Sequence, residues 1–559
     1  MAKRNNGNEK WIEEMAIKRR ASASGVIVVV SDDPYREEEL KKFVASSAFN
    51  QVFNCQPSRK IHVHPWFGGV DLETGEVLSV DVDNPFMASG TRRVPLPVWC
   101  EYIDGLVDEE YRAAVKRGEG WSGGVVAVIT GIEKPEVFDS VGLAVRSWAR
   151  DPRFFRTKST VILMVPEISV IDELSRKFVV EIYPPPSTEA ERRGWLEKNG
   201  IPYDPQVIDL GKGLTLHEFS TICLESLFLN RKVVPESVTL GKMEIMRKKG
   251  YELVYPSYGF EAIGGYRWLK EYIRDEIIFT LKDRVSRKWG LEPIRGIIFF
   301  GMEGTGKTLF ARAMAKELNM PLIAVGAPSL IEGVVGASAR NVERLARTAE
   351  ANAPVVVFMD EIDALGVSRE RTSFTDSGEF LRTQNTLMSW LGDKDRRSIV
   401  IGATNLIDIM DPAFIRTGRF DAKIPILPPD FEARKEIFRV HLEVVRRVEY
   451  SEDVDFDRLA ELTEWWTGAD IEAAAKSAAR KARKKGLTKV NMECFEEAIE
   501  ENEPTERISE ERVKKMIETA YKYATSKRLV DVQVKALKKK RRKAREDVEK
   551  ARLEAVRKA

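Results

Sequence analysis

Apolar positions divide the chain into two long stretches in which strand-like runs alternate with helix-length polar and amphipathic segments. Between Gly25 and Pro186 the runs are GVIVVVSDD, KIHVHPW, GGVVAVITG, STVILMVPE and KFVVEIYPPP. Strands spaced by helix-length connections predict a mostly parallel α/β sheet. A second series opens at Ile297–Phe300, an apolar run followed by LFARAMAKELN with helical periodicity, and continues through APVVVFMDEID and SIVIGATN. The two series echo one another. RKFVVEIYPPPSTEAERRGWLEKN (176–199) matches DAKIPILPPDFEARKEIFRVHL (421–442) in order: a strand, paired prolines, then a charged amphipathic helix. GLTLHEFSTICLESLF (213–228) likewise parallels WWTGADIEAAAKSAARKA (465–482), so the pattern predicts two copies of one architecture.

The expected organisation is a basic N-terminal arm at 1–22, an α/β domain with a small lid at 23–230, and a charged helical connector at 231–258. A large α/β subdomain at 259–430, a helical lid at 431–526 and a basic helical tail at 527–559 follow. The arm reads either as a docking segment or as a frayed terminus. The tail from Val534 carries twelve Lys or Arg and four Asp or Glu, with a weak heptad from Leu537 to Ala555. It reads either as a nucleic-acid or acidic-partner contact through Lys538–Lys543 or as a solvated helix.

Charge and cysteine usage narrow the class. Against 89 Lys and Arg stand 87 Asp and Glu, a net charge of +2, so no global attraction to nucleic acid or membrane is expected. Cys55, Cys100, Cys223 and Cys494 are scattered without CxxC spacing, which indicates neither a zinc site nor a disulfide framework. His62 and His64 alternate in strand register without further ligands nearby, and HEFST at His217 lacks the second histidine of a metalloprotease helix. No apolar run reaches the ~18–20 residues of a membrane span, and a cytoplasmic protein is expected.

The chemistry concentrates where the second series begins. GMEGTGKT (301–308) places a glycine-rich loop between a strand and a helix. Its glycines let the backbone wrap a phosphate, Lys307 can reach the β- and γ-phosphates, and the Thr308 hydroxyl can ligate Mg²⁺. Asp360, ending an apolar strand 53 residues after Lys307, can hold the same metal, and Glu361 can polarise the attacking water. Asn405 ends another buried strand with an amide able to position that water. Arg416 and Arg419, on a glycine-containing turn, suit a γ-phosphate held by a neighbouring subunit. The first series has no GxxxxGK after VVVSDD and no acidic pair after VITG, so it is not expected to hydrolyse ATP.

Taken together, IGG (263–265), GMEGTGKT, VVGASARNVERL, FMDEID, ATN, DPAFIRTGRFD, VHL and TGAD resemble the AAA (AAA+) family of ring-forming ATPases across residues 260–500. The resemblance implies a P-loop AAA+ module with a helical lid, preceded by a degenerate AAA-like domain. That layout resembles AAA proteins encoded in chloroplast and cyanobacterial genomes. It implies ATP and Mg²⁺ as cofactors and a homo-oligomer, by default hexameric. Ile263 and Gly264 would border the adenine; Glu303, Gly304, Thr305, Gly306, Lys307, Thr308 and Leu309 would bind phosphate. Asp360 and Glu361 would be the Walker B pair, Asn405 the first sensor, and Arg416 and Arg419 arginine fingers acting in trans. His441 would contact the base, with Gly468 and Ala469 at the second-sensor position. The sequence departs from the family at Ala262, at Thr417 and in the pore loop, where Gly333, Val334, Val335 and Gly336 lack an aromatic residue. A protein remodeller is the favoured activity; a nucleic-acid-associated ATPase recruited by the tail and an ATP-regulated scaffold are the alternatives. The terminus also lacks the hydrophobic-Tyr-X ending by which some AAA rings dock on proteasomes.

Overall fold

A computed structural model describes residues 10–21, 24–53, 55–65, 68–78, 95–117, 124–282, 289–290, 292–331, 337–367, 377–502 and 510–538 of the chain. The pore-loop positions Gly333–Gly336 and the tail from residue 539 lie outside the described residues. The chain divides into two compact units, Met1–Lys242 and Met243–Ala559.

The strands of the first unit are β1 (Val26–Val30), β2 (Arg59–His64), β3 (Gly68–Asp71), β4 (Val77–Leu78), β5 (Val125–Ile129), β6 (Thr160–Val165) and β7 (Val180–Ile182). They form one sheet in the order β4-β3-β2-β5-β6-β1-β7, parallel from β2 to β7 with an antiparallel β3–β4 hairpin at one edge. Alternation sends Val26, Val28, Ala127 and Ile129 to one apolar layer and Ile27, Val29, Val126 and Val128 to the other. The five strand runs read from the sequence all form strands. The hairpin was missed because its strands are short and partly glycine, without a periodic apolar pattern.

Residues 10–21 differ from the expected arm. They form a helix whose Trp11, Ile12, Met15 and Ala16 are buried in the second layer, so its apolar stripe is core. His62 Nε2 lies 2.9 Å from Thr130 Oγ1, a structural hydrogen bond between β2 and the end of the neighbouring β5.

The second unit contains β8 (Glu252–Val254), β9 (Gly296–Gly301), β10 (Leu322–Gly326), β11 (Val356–Asp360), β12 (Ile399–Thr404) and β13 (Ala422–Ile426). Their order is β13-β9-β12-β11-β10-β8, with only β8 antiparallel. Numbered by chain position, the parallel strands of both sheets run 5-1-4-3-2. The expected connector therefore ends early, because residues 252–254 pair with β10 as an edge strand.

A separate helical layer follows β13. The helices Phe431–Val440, Phe456–Leu462, Gly468–Lys484 and Met492–Glu501 close on Phe438, Leu459, Trp466, Ile471 and Phe495. The lid was expected to run to 526. Instead Ala520 and Ala524, with Val530 and Val534 from the following helix at 527–538, pack into the core beneath the second unit's sheet.

Candidate functional site

The phosphate loop sits where a fully buried strand, β9, meets a helix that starts at Lys307. Gly306 caps that helix at φ +95° and Gly304 lies at φ +73°, backbone conformations that favour glycine. A side chain at Gly304 would also strike the Thr467 hydroxyl, 2.6 Å from an added Cβ. Ala469 N donates to the Gly304 carbonyl at 3.2 Å, which brings the lid helix against the loop.

These elements line a cavity of about 580 Å³ at the carboxyl ends of the parallel strands. Lys307, Asp360, Glu361 and Asn405 line it. So do Ile263, Gly264, Glu303, Gly304, Thr305, Gly306, Thr308, Leu309, His441, Gly468 and Ala469. Arg416 and Arg419 do not: Arg416 is exposed, and Arg419 donates to the Ala413 carbonyl of its own turn.

Lys307 Nζ donates to the carbonyls of Gly301 at 3.1 Å and Met302 at 2.8 Å, and burial lowers its pKa to about 8. Thr308 Oγ1 and Asp360 Oδ2 lie 3.5 Å apart, two hard oxygen donors converging as a Mg²⁺ site requires. Glu361 stands exposed at the end of β11 with φ +53°, its N–H donating to Asp360 Oδ1 at 3.0 Å. That left-handed backbone is costly for a glutamate and is held at the cavity wall, as expected of a functional position.

Two features of the site were not read from the sequence. Thr404 Oγ1 donates to Asp363 Oδ1 at 2.6 Å and accepts from Leu406 N at 2.8 Å, pinning the backbone on both sides of Asn405. The third acid of DEID, Asp363, was the available signal. His441 Nδ1 takes a hydrogen bond from Arg446 Nη1 at 3.0 Å, and Arg446 in turn binds Glu472 at 3.0 Å. Burial lowers the His441 pKa to about 4, so near neutral pH the ring is uncharged with its proton on Nε2.

The glycine pair at 264–265 also acquires a reason. A Cβ on Gly264 would lie 2.3 Å from Ile437 N, and Gly265, at φ +70°, meets Ala433 and donates to Glu436 Oε2 at 2.9 Å. Replacing Gly264 by alanine is expected to destabilise the protein by about 1–3 kcal/mol and weaken nucleotide affinity. Melting and a fluorescent-nucleotide titration check this, and an unchanged affinity would show that the contact does not shape the cavity.

A pH dependence follows from Lys307. Its folded pKa lies below the unfolded value, so the burial cost is fully present below pH 8 and relieved as pH rises towards 10.5. Phosphate bound beside it restores the charge. Nucleotide binding at pH 8.5 is therefore expected to take up roughly three-quarters of a proton, and almost none at pH 6.5 from this lysine. Calorimetry in buffers of different ionisation enthalpy reads this directly, and equal uptake at the two pH values would contradict it.

Comparison with known proteins agrees with this geometry. The model of the ATPase family associated with various cellular activities (AAA) matches residues 297–427, and that of the AAA+ lid domain matches 453–497. The chain is 36% identical over 286 residues to the proteasome-activating nucleotidase of Archaeoglobus fulgidus, covering 49% of this chain and 71% of that protein. It is 38% identical over 267 residues to Protein SAV of Sulfolobus acidocaldarius, covering 47% of this chain and 33% of that one. With the ATP-dependent zinc metalloprotease FtsH of Aquifex aeolicus it shares 39% identity over 260 residues, 45% of this chain and 40% of the relative. The chain thus spans less than half the length of the latter two. Among the described residues no helix is long and apolar enough to cross a membrane. The nucleotidase match covers more than two thirds of that protein, and both the catalytic and lid models fall on the subdomains that enclose the cavity: this chain belongs to the AAA family of ATPases and hydrolyses ATP with Mg²⁺.

Proposed function

We propose that this chain assembles into a homo-oligomeric ring, hexameric by default, that uses ATP hydrolysis to remodel or disassemble a protein partner. The observation that carries the ring is the split site. One chain lines its own cavity with Lys307, Thr308, Asp360, Glu361 and Asn405, whereas Arg416 and Arg419 stand outside it on an exposed turn. Arginines so placed suit the γ-phosphate of a neighbouring subunit rather than that of their own chain.

In this reading the loop amides and Lys307 hold the phosphates, and Glu361 accepts the proton of the attacking water. Asn405 orients that water, and His441, Ile263 and Gly264 border the base. Thr308 and Asp360 would hold Mg²⁺, which neutralises charge on the phosphate oxygens when bound. Opening and closing of the lid through the Gly304–Ala469 contact would carry the work to the partner. Relatives with names that refer to proteasome activation and ATP-dependent proteolysis support a protein substrate.

The first unit we read as a degenerate copy that takes no nucleotide. Its β1 holds the place of β9 in the shared strand order, yet the helix that follows is capped by Asp33. The Asp33 carboxylate accepts from Tyr35 N at 3.0 Å and Leu216 N at 3.2 Å. It thereby bridges the starts of two helices whose counterparts in the second unit flank the cavity. Arg36 extends the clamp to Glu191 at 2.7 Å. An internal carboxylate in the phosphate's place supports a nucleotide-independent domain that serves partner recognition.

Particle mass with and without ATP, measured for the wild type and Glu361→Gln, tests the proposal. A ring that forms with ATP and persists in the variant supports it and provides bait for the partner. A monomer under every condition would overturn the ring reading.

A further inference from the structure

We infer that the two C-terminal helices, Glu510–Tyr523 and 527–538, form a positioning strap for the arginine turn, so that residues far from this chain's own cavity set the hydrolysis rate next door. The inference rests on the proposed action of Arg416 and Arg419 in trans. The strap grips the turn from both sides. Upstream, Asp408 accepts from Thr519 Oγ1 at 2.9 Å and pairs with Lys522 Nζ at 3.4 Å. Downstream, Thr525 binds the outer edge of β13, its N donating to Lys423 O at 3.1 Å and its Oγ1 accepting from Lys423 N at 2.9 Å.

Further along β13, the side chain of Gln533, 1% exposed, replaces a missing neighbour strand. Its Oε1 accepts from Leu427 N at 3.1 Å and its Nε2 donates to Pro425 O at 3.0 Å. β13 pairs with β9 on its other side, so these bonds satisfy edge groups that would otherwise be buried unpaired. Between the two grips, Phe414 and Phe420 share an apolar core with Ala520, Ala524, Val530 and Val534.

The link to the arginines is short. Thr525 Oγ1 also lies 3.2 Å from Asp421 O, and Asp421 Oδ1 accepts from Gly418 N at 2.8 Å. Gly418, at φ +89°, is the pivot between Arg416 and Arg419. None of Thr519, Lys522, Thr525 and Gln533 lines the nucleotide cavity. A group that acts only through the turn should therefore change kcat and leave the chain's own nucleotide affinity alone. A displacement of about 1 Å in a group that meets the transition state costs up to about 100-fold.

The test compares Thr525→Val, Gln533→Met and Thr525→Ser in the full chain, alone and combined with Arg416→Ala/Arg419→Ala. Thr525→Val and Gln533→Met are expected to lower kcat about tenfold with KM for ATP and fluorescent-nucleotide affinity within twofold of wild type, whereas Thr525→Ser keeps the wild-type rate. Combined with Arg416→Ala/Arg419→Ala, either strap variant should lower kcat less than about twofold further, because the strap acts only through those two guanidiniums. Full multiplication of the two effects, a raised KM with unchanged kcat, or wild-type kcat in both strap variants would overturn the strap. If Gln533→Met does not fold, the Thr525 pair decides alone. If Arg416→Ala/Arg419→Ala itself keeps wild-type kcat, the trans-arginine reading has failed instead.

Discussion

Exchanging Glu361 for glutamine is expected to lower ATP turnover by about 10²- to 10⁴-fold with nucleotide affinity essentially unchanged. The amide keeps the size and hydrogen-bonding reach of the carboxylate but cannot accept the proton of the attacking water. Lys307, Thr308 and Asp360, which contact phosphate and metal in the proposed mechanism, remain as they are, so binding survives. The strained backbone at φ +53° does not depend on the carboxylate charge, because its local bond is made by Glu361 N to Asp360 Oδ1. Steady-state hydrolysis beside a fluorescent-nucleotide titration separates the two effects. Turnover within tenfold of the wild type would remove Glu361 from the role of base.

The second large effect concerns the arginines. Arg416→Ala and Arg419→Ala together are expected to lower turnover about 10³-fold or more, since each removes charge that would meet the γ-phosphate in the transition state. Acting in trans has a sharper consequence. The double variant lacks arginines to donate but keeps an intact cavity, whereas Lys307→Ala lacks the phosphate contact but keeps its arginines. Mixed in equal amounts before assembly, two inactive proteins should regain activity, because roughly a quarter of randomly formed interfaces combine a competent cavity with a competent turn. Arginines acting within their own chain would give no recovery, and that result would end the argument for a split site.

These assignments differ in how far the linear chain carried them. The phosphate loop is legible because its chemistry is local: glycines, a lysine and a threonine within eight consecutive positions must fold back on one phosphate. The acid pair after β11 is legible for a similar reason, since an apolar strand ending in Asp360-Glu361 combines a buried run with exposed charge at one point. The Thr404–Asp363 bond is not, because Thr404 ends β12 while Asp363 opens the short helix after the neighbouring β11, and their distance follows from how those two strands pair. The pair Gly264-Gly265 is a weak signal in one dimension. Only the approach of Ile437 and Ala433 from the lid, far along the chain, leaves no room for a side chain there.

By itself the sequence determined the two α/β series, their partial repetition, and the family to which the second belongs. It also supplied the identity of every residue offered for phosphate and base. All of these are written in local periodicity or contiguous motifs. Only the tertiary structure decided that both sheets run 5-1-4-3-2, that one face of the helix at 10–21 is core, that 252–254 close an edge, and that the helices after 510 return to β13. The reason is physical. Strand order, edge pairing and the burial of one amphipathic face depend on which distant surface is free to cover it, and a helical stripe such as Trp11–Ala16 or Val530–Val534 looks the same whatever it packs against.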